Sequence, residues 1–275
     1  LLSSDESEKL GLTLIMKEMQ NVARLYESHR LYVFQSCMLI FHRLFVEHDD
    51  NMQHEGESIE DIFAHVQKVF DTYTLDPVYY HLNLVFEFLK LEYYNHYKVF
   101  RQAEKYFEEV NDASSNLLVN YPYYTFSAQF LISKLERYLR MGTEKELYAE
   151  NESMFLDFEA DPLDVPKHII YITYRALSSY YVGKFAEAAK LLNQLLNDVS
   201  VKKYPFAQME VKALLALQYC MLKDFELFNQ LFNSVQRQIR MYKEGDCENV
   251  LLFFKMLKIA VSEAKKEKSK KIAGL

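Results

Sequence analysis

Apolar residues recur along this chain with the period of a helix almost from end to end. In 58–73, Ile59, Ile62, Phe63, Val66, Val69, Phe70 and Tyr73 follow the i, i+3, i+4, i+7 spacing that turns one helix face inward. Asp61, His65 and Lys68 fall on the opposite face. Ser58, with Asp61 three residues later, has the arrangement that caps a helix start. The same pattern predicts helices over 6–28, 30–48, 58–73, 78–97, 99–112, 122–140, 143–158, 166–181, 184–199, 204–222, 224–243 and 247–268. The expected class is all-α.

The breaks between these helices carry the residues that end helices. Pro77, Pro122, Pro166 and Pro205 precede or open a predicted helix, where a missing N–H costs nothing. Gly142, Gly183 and Gly245 fall just past helix ends, where a left-handed residue closes the last turn. The breaks also recur. Aligning Tyr97–Lys98–Val99–Phe100, Arg140–Met141–Gly142–Thr143, Tyr181–Val182–Gly183–Lys184 and Met221–Leu222–Lys223–Asp224 puts Lys98, Gly142, Gly183 and Lys223 in one register, 44, 41 and 40 residues apart. A period in that range marks stacked helical hairpins, each burying its apolar face on the next. The segment 48–57 is the most loop-like stretch and is too short for a domain linker, so one continuous array over 1–275 is expected.

The third unit carries a family resemblance. Ala176, Gly183, Phe185, Ala188 and Leu192 resemble a tetratricopeptide repeat, with a small residue in the first helix, Gly then an aromatic at the turn, and Ala in the second helix. The next unit repeats it with Ala216, Tyr219, Phe225 and Phe232, although Phe228 replaces the second-helix Ala. The unit around Lys98 matches through Tyr94, Phe100, Ala103 and Phe107, whereas the unit around Gly142 has Glu144 where an aromatic belongs. The resemblance covers 78–243, leaving 1–77 as divergent N-terminal helices and 244–275 as a capping helix with a basic tail. It implies a right-handed superhelix of about twelve helices in antiparallel pairs, whose first helices line a concave groove. Carried onto this sequence, that groove draws on Val85, Phe88, Glu92, Asn95 and His96, then Gln129, Ile132, Glu136 and Arg140. It continues through Thr173, Leu177, Tyr180 and Tyr181, then Glu210, Ala213, Leu217 and Met221. The Lys and Asn set with which some family members clamp a C-terminal carboxylate is missing.

Composition narrows the function. Only 6 Gly and 5 Pro in 275 residues fit long helices with short connections, and 21 Tyr with 20 Phe fill their faces. A net charge of −7 argues against a broad nucleic-acid footprint, which needs a basic surface to displace counterions. The only basic cluster is the tail Lys265–Lys271, read as complementing a helix C-terminus. No apolar run is long enough to span a membrane, and the first 30 residues lack a basic segment followed by an apolar one. Cys37, Cys220 and Cys247 are odd in number and widely separated, which suits a reducing compartment and suggests the cytoplasm. The chain opens on Leu1, which leaves room for a further domain upstream, and a regulatory or sensor domain of a longer protein is one alternative reading.

Candidate chemistry is sparse. Asp61/His65 and Glu92/His96 each stand four residues apart, so each pair shares a helix face, and with His48 they are the strongest case for a metal-dependent helical enzyme. Asp61 and His65 lie away from the apolar stripe, however, which favours solvated side chains. His48–Asp49 resembles the metal-binding dipeptide of HD-domain phosphohydrolases, a match of only two residues. No nucleophile elbow, catalytic cysteine signature or glycine-rich phosphate loop occurs. The reading that remains is a non-catalytic scaffold without cofactor or metal, binding a protein or peptide.

Overall fold

Helices occupy every segment where periodicity predicts one in the computed structural model, which describes residues 6–25, 28–45, 57–73, 77–120, 126–198, 203–241 and 247–262. In chain order they are α1 (Glu6–Leu25), α2 (His29–Phe45), α3 (Ile59–Thr72), α4 (Pro77–His96), α5 (Phe100–Asn120), α6 (Phe126–Met141) and α7 (Glu146–Glu150). There follow α8 (Glu152–Asp157), α9 (Val165–Tyr181), α10 (Phe185–Asp198), α11 (Pro205–Met221), α12 (Phe225–Ile239) and α13 (Glu248–Ser262). No strand occurs among the described residues, and the protein is all-α. The helix starts obey local chemistry. Ser58 accepts from the Asp61 N–H at 3.1 Å, and Asp224 accepts from the Leu227 N–H at 3.1 Å, each satisfying a donor of the first turn.

Two predicted boundaries shift. Helix α5 runs to Asn120, well past the expected end at 112, because no Gly or Pro interrupts it before Pro122. The predicted helix 143–158 is instead two short helices, α7 and α8, broken at Asn151. Asn151 turns its side chain inward there, Nδ2 donating to the Leu147 carbonyl at 2.7 Å. Gly245, Gly56, His48, Asp49 and the tail Lys265–Lys271 lie outside the described residues.

The chain forms two compact units, residues 3–130 and 131–275, divided within α6. In the first, α2 packs on α1, α3 and α4, and α4 pairs with α5. Its core holds Val33, Cys37 and Ile40 of α2, Ile62, Phe63, Val66 and Phe70 of α3, and Phe86, Leu89 and Tyr93 of α4. Phe63 meets Phe86 and Tyr93 edge-on, at 5.6 and 5.2 Å between ring centroids, an arrangement the ring quadrupoles favour. In the second unit, α9 pairs with α10 and α11 with α12, α10 packs on α11, and α13 closes against α11. Ala176, Ala188 and Ala216 are fully packed in its core, where any larger side chain would force the helices apart.

The repeat read from the sequence is visible in the backbone. Lys98, Gly142, Gly183 and Lys223, the four residues in register, have φ of 58°, 71°, 80° and 61°, and among the described residues no others have positive φ. Each closes its helix with the same pair of bonds. The next residue's N–H reaches back to the carbonyl five residues earlier: Val99 to Tyr94 at 2.8 Å, Thr143 to Tyr138 at 3.0 Å, Lys184 to Ser179 at 2.9 Å and Asp224 to Tyr219 at 2.8 Å. The left-handed residue itself donates to the carbonyl three residues back, as in Gly183 to Tyr180 at 2.9 Å. Four turns of one design thus reverse the chain at intervals of 40–44 residues.

Candidate functional site: a cleft between α6, α9 and α11

Within the second unit, three helices that each precede such a turn converge on one apolar cleft of about 130 Å³. Helix α6 contributes Leu131, Ile132 and Leu135, and α9 contributes Ile169, Ile170, Thr173, Tyr174 and Leu177. Helix α11 supplies Ala207, Glu210, Val211 and Leu214. Positions spaced three and four apart on each helix face the same space, as helical geometry requires.

Three polar side chains, Thr173, Tyr174 and Glu210, interrupt this lining. Thr173 Oγ1 is buried without a hydrogen-bond partner. Glu210 has no hydrogen bond or ion pair with any described residue; burial raises its carboxyl above the ordinary glutamate value, against the opposing positive charge of the chain's N-terminus. Two lysines of these helices have partners elsewhere. Lys134 Nζ reaches Glu150 Oε1 at 2.5 Å and Asn151 Oδ1 at 3.3 Å, and desolvation lowers its pKa against the pull of Glu150. Tyr138 donates to the other oxygen of Glu150. Lys212 Nζ turns away to Gln238 Oε1 at 2.9 Å.

The groove residues expected from the sequence divide into groups. Ile132, Thr173, Leu177 and Glu210 line the cleft. Glu136 and Arg140 are exposed one and two turns beyond Ile132 on α6. Tyr180 and Tyr181 are half-buried at the end of α9, where Tyr180 packs on Phe185 at 5.6 Å between centroids. Leu217 is half-buried and Met221 exposed, both beyond the cleft on α11. Glu92 is half-buried and His96 exposed, both on α4 of the first unit. Phe88 requires correction: it is 1% exposed and meets Phe130 edge-on, so it is a core residue of the first unit. Ala213 is likewise core. Both follow the helix period closely enough to be placed on a face, but a period does not say which face a second helix covers.

Sequence reasoning missed Leu131, Leu135, Ile169, Ile170, Tyr174, Ala207, Val211 and Leu214, which form most of the cleft wall. The available signal was helical spacing from the expected residues: Leu135 stands three after Ile132, Ile169 and Ile170 four and three before Thr173, and Leu214 four after Glu210. Two of the candidate metal ligands have other partners. Asp61 Oδ2 accepts from Ser58 Oγ at 2.8 Å and His65 Nδ1 pairs with Glu57, both at an exposed helix start. Among the described residues no three His, Cys, Asp or Glu side chains gather as metal ligands would, and no helix is long and apolar enough to cross a membrane. None of the three cysteines is in a disulfide, and burial pushes Cys37 up to about 12 and Cys220 up to about 11. Neither is poised as a nucleophile, since the thiolate is the reactive form. No protein-family model matches this chain, nor does any curated protein or solved structure.

Proposed function

We propose that this protein is a non-catalytic scaffold of tetratricopeptide-like hairpins that holds a protein or peptide segment where α6, α9 and α11 meet. The observation carrying this reading is the cleft itself: an apolar depression built from the corresponding helix of three successive units, with one carboxylate and no nucleophile. The four equivalent turns support reading the hairpins as one repeat stacked in a right-handed superhelix, and three cysteines without a disulfide suit a cytoplasmic setting.

Affinity purification from native lysate tests it with the variant Ile132→Trp as the control. Ile132 is 36% exposed at the cleft rim, so an indole there fills the cleft from its mouth. A bound protein that the wild-type chain retains and the variant releases is the expected result. Identical retention by both, or no retained protein, overturns the reading.

A further inference from the structure

The four equivalent turns differ in charge. Between Tyr93 and Ala103 the chain has no Asp or Glu, while Lys98 and Arg101 are exposed and Lys105 follows one helical turn after Arg101, exposed on the same face. The other three turns carry acids: Glu144 and Glu146 after Gly142, Glu187 beside Lys184 at 3.9 Å, and Asp224 and Glu226 after Lys223. The Lys98 turn also stands clear of its unit. All six residues from His96 to Arg101 are exposed, with Tyr97 at 53%, Val99 at 43% and Phe100 at 38%. The Lys223 turn exposes Met221, Leu222 and Phe225 as well, but Asp224 and Glu226 sit among them.

Lys98 holds φ of 58°, the left-handed conformation that Gly142 and Gly183 adopt without a Cβ. A glycine there would relieve the backbone; the lysine sets an ammonium between Tyr97 and Val99 in sequence, and strain of this kind gathers at functional sites. Apolar tips interleaved with cations match the headgroup layer of an anionic bilayer. Tyrosine rings settle at that depth, and Lys and Arg reach lipid headgroups over apolar stems. A protein partner needs a patch of roughly 800 Å² with a fitted shape, which a projecting turn does not offer; a fluid layer needs neither. Glu60 reaches the base of the patch through the Tyr93 hydroxyl, and the three cations outnumber it. The net charge of −7 weighs little here, because charges are screened beyond about 8 Å at physiological ionic strength and the local sign decides.

We infer that the turn between α4 and α5 docks on an anionic lipid surface, Tyr97, Val99 and Phe100 entering the headgroup layer while Lys98, Arg101 and Lys105 pair with the lipid anions. This contact uses residues of the first unit only and does not depend on the cleft.

Co-sedimentation of the intact chain with lipid vesicles tests the inference. Vesicles of phosphatidylcholine with phosphatidylserine retain the chain at low ionic strength, vesicles of phosphatidylcholine alone do not, and added salt releases it. Lys98→Gly and Arg101→Ala each weaken retention roughly fivefold, the share of one cation at such a surface. Because Lys98→Gly relieves the backbone, its loss of binding is not a loss of fold; Val99→Ser weakens retention at unchanged charge. No retention on the phosphatidylserine vesicles overturns the inference, as does equal retention on phosphatidylcholine alone or a Val99→Ser variant that binds like wild type. Retention kept in full by the double variant Lys98→Gly/Arg101→Ala belongs to another surface, such as the lysines of 265–271, and overturns it too. A polyglutamate resin that holds the wild-type chain and releases the double variant, with vesicles holding neither, assigns the turn to an acidic protein instead. Each of these outcomes leaves the scaffold reading standing.

Discussion

The hydroxyl of Thr173 is buried in the cleft wall without a partner, a desolvated polar group that folding does not repay. Replacing it with the near-isosteric valine removes the group and leaves the shape. Thr173→Val is expected to raise stability by about 1 kcal/mol, read as a higher denaturant midpoint at unchanged slope. A lower midpoint would mean that the hydroxyl is satisfied. The left-handed turn residues make a second residue-scale case. Lys98 and Lys223 hold φ of 58° and 61° with a Cβ that crowds the following carbonyl, whereas Gly142 and Gly183 occupy the same conformation without one. A Cβ added at Gly183 meets nothing within 4 Å, so its cost there is purely conformational. Lys98→Gly and Lys223→Gly should each gain about 0.5–1 kcal/mol, and Gly183→Ala should lose about 1 kcal/mol. Thermal denaturation of the three variants checks the opposite signs.

Between α7 and α8, one side chain does the work that a turn residue does elsewhere. Asn151 is 3% exposed, donates to the Leu147 carbonyl and accepts from Lys134 Nζ, so it holds the break between the two short helices against α6. The ammonium of Lys134 is itself buried, and only Glu150 and Asn151 keep it from standing alone. Asn151→Ala breaks both contacts and should cost about 2 kcal/mol. Asn151→Asp retains the acceptor facing the ammonium and should cost less. A cycle combining each with Lys134→Met isolates the coupling; equal costs for the two substitutions would remove Lys134 from the account. Periodicity had predicted one helix over 143–158 here, because Leu147, Met154 and Phe155 keep helical spacing across the break. Only the inward rotation of Asn151, which depends on a lysine in another helix, shows why the helix stops.

For the molecule as a whole, the aromatic surplus has a measurable consequence at alkaline pH. Burial is the first cause raising the phenols of Tyr32, Tyr93, Tyr106, Tyr138, Tyr171, Tyr174 and Tyr181 above the ordinary value of 10.0. Each folded phenol therefore holds its proton where the unfolded one loses it. Their stabilisation is complete below pH 10 and lost as pH rises beyond it. Lys134 and Lys212, lowered by burial from 10.5, act with the opposite sign below that value. The phenolate absorbance of these seven and loss of helical circular dichroism should accordingly appear together above pH 10, and their full titration near 10 with helix intact would refute it. At this scale the reach of the sequence is also clear. Helix positions, capping by Ser58 and the register of Lys98, Gly142, Gly183 and Lys223 were legible because each depends on residues within a turn or two of one another. The cleft was legible only in part: Ile132, Thr173, Leu177 and Glu210 were on the expected face, but Phe88 was not available and Leu131, Leu135 and Leu214 were overlooked. Those assignments depend on which face a neighbouring helix covers, and on how far it stands off. The sequence by itself determined an all-α chain of hairpins and where each one turns, since period and turn chemistry are local. Tertiary structure alone decided the division within α6, the burial of Phe88 and the opening beside Glu210, because these arise from the distances between helices that the chain brings together from far apart.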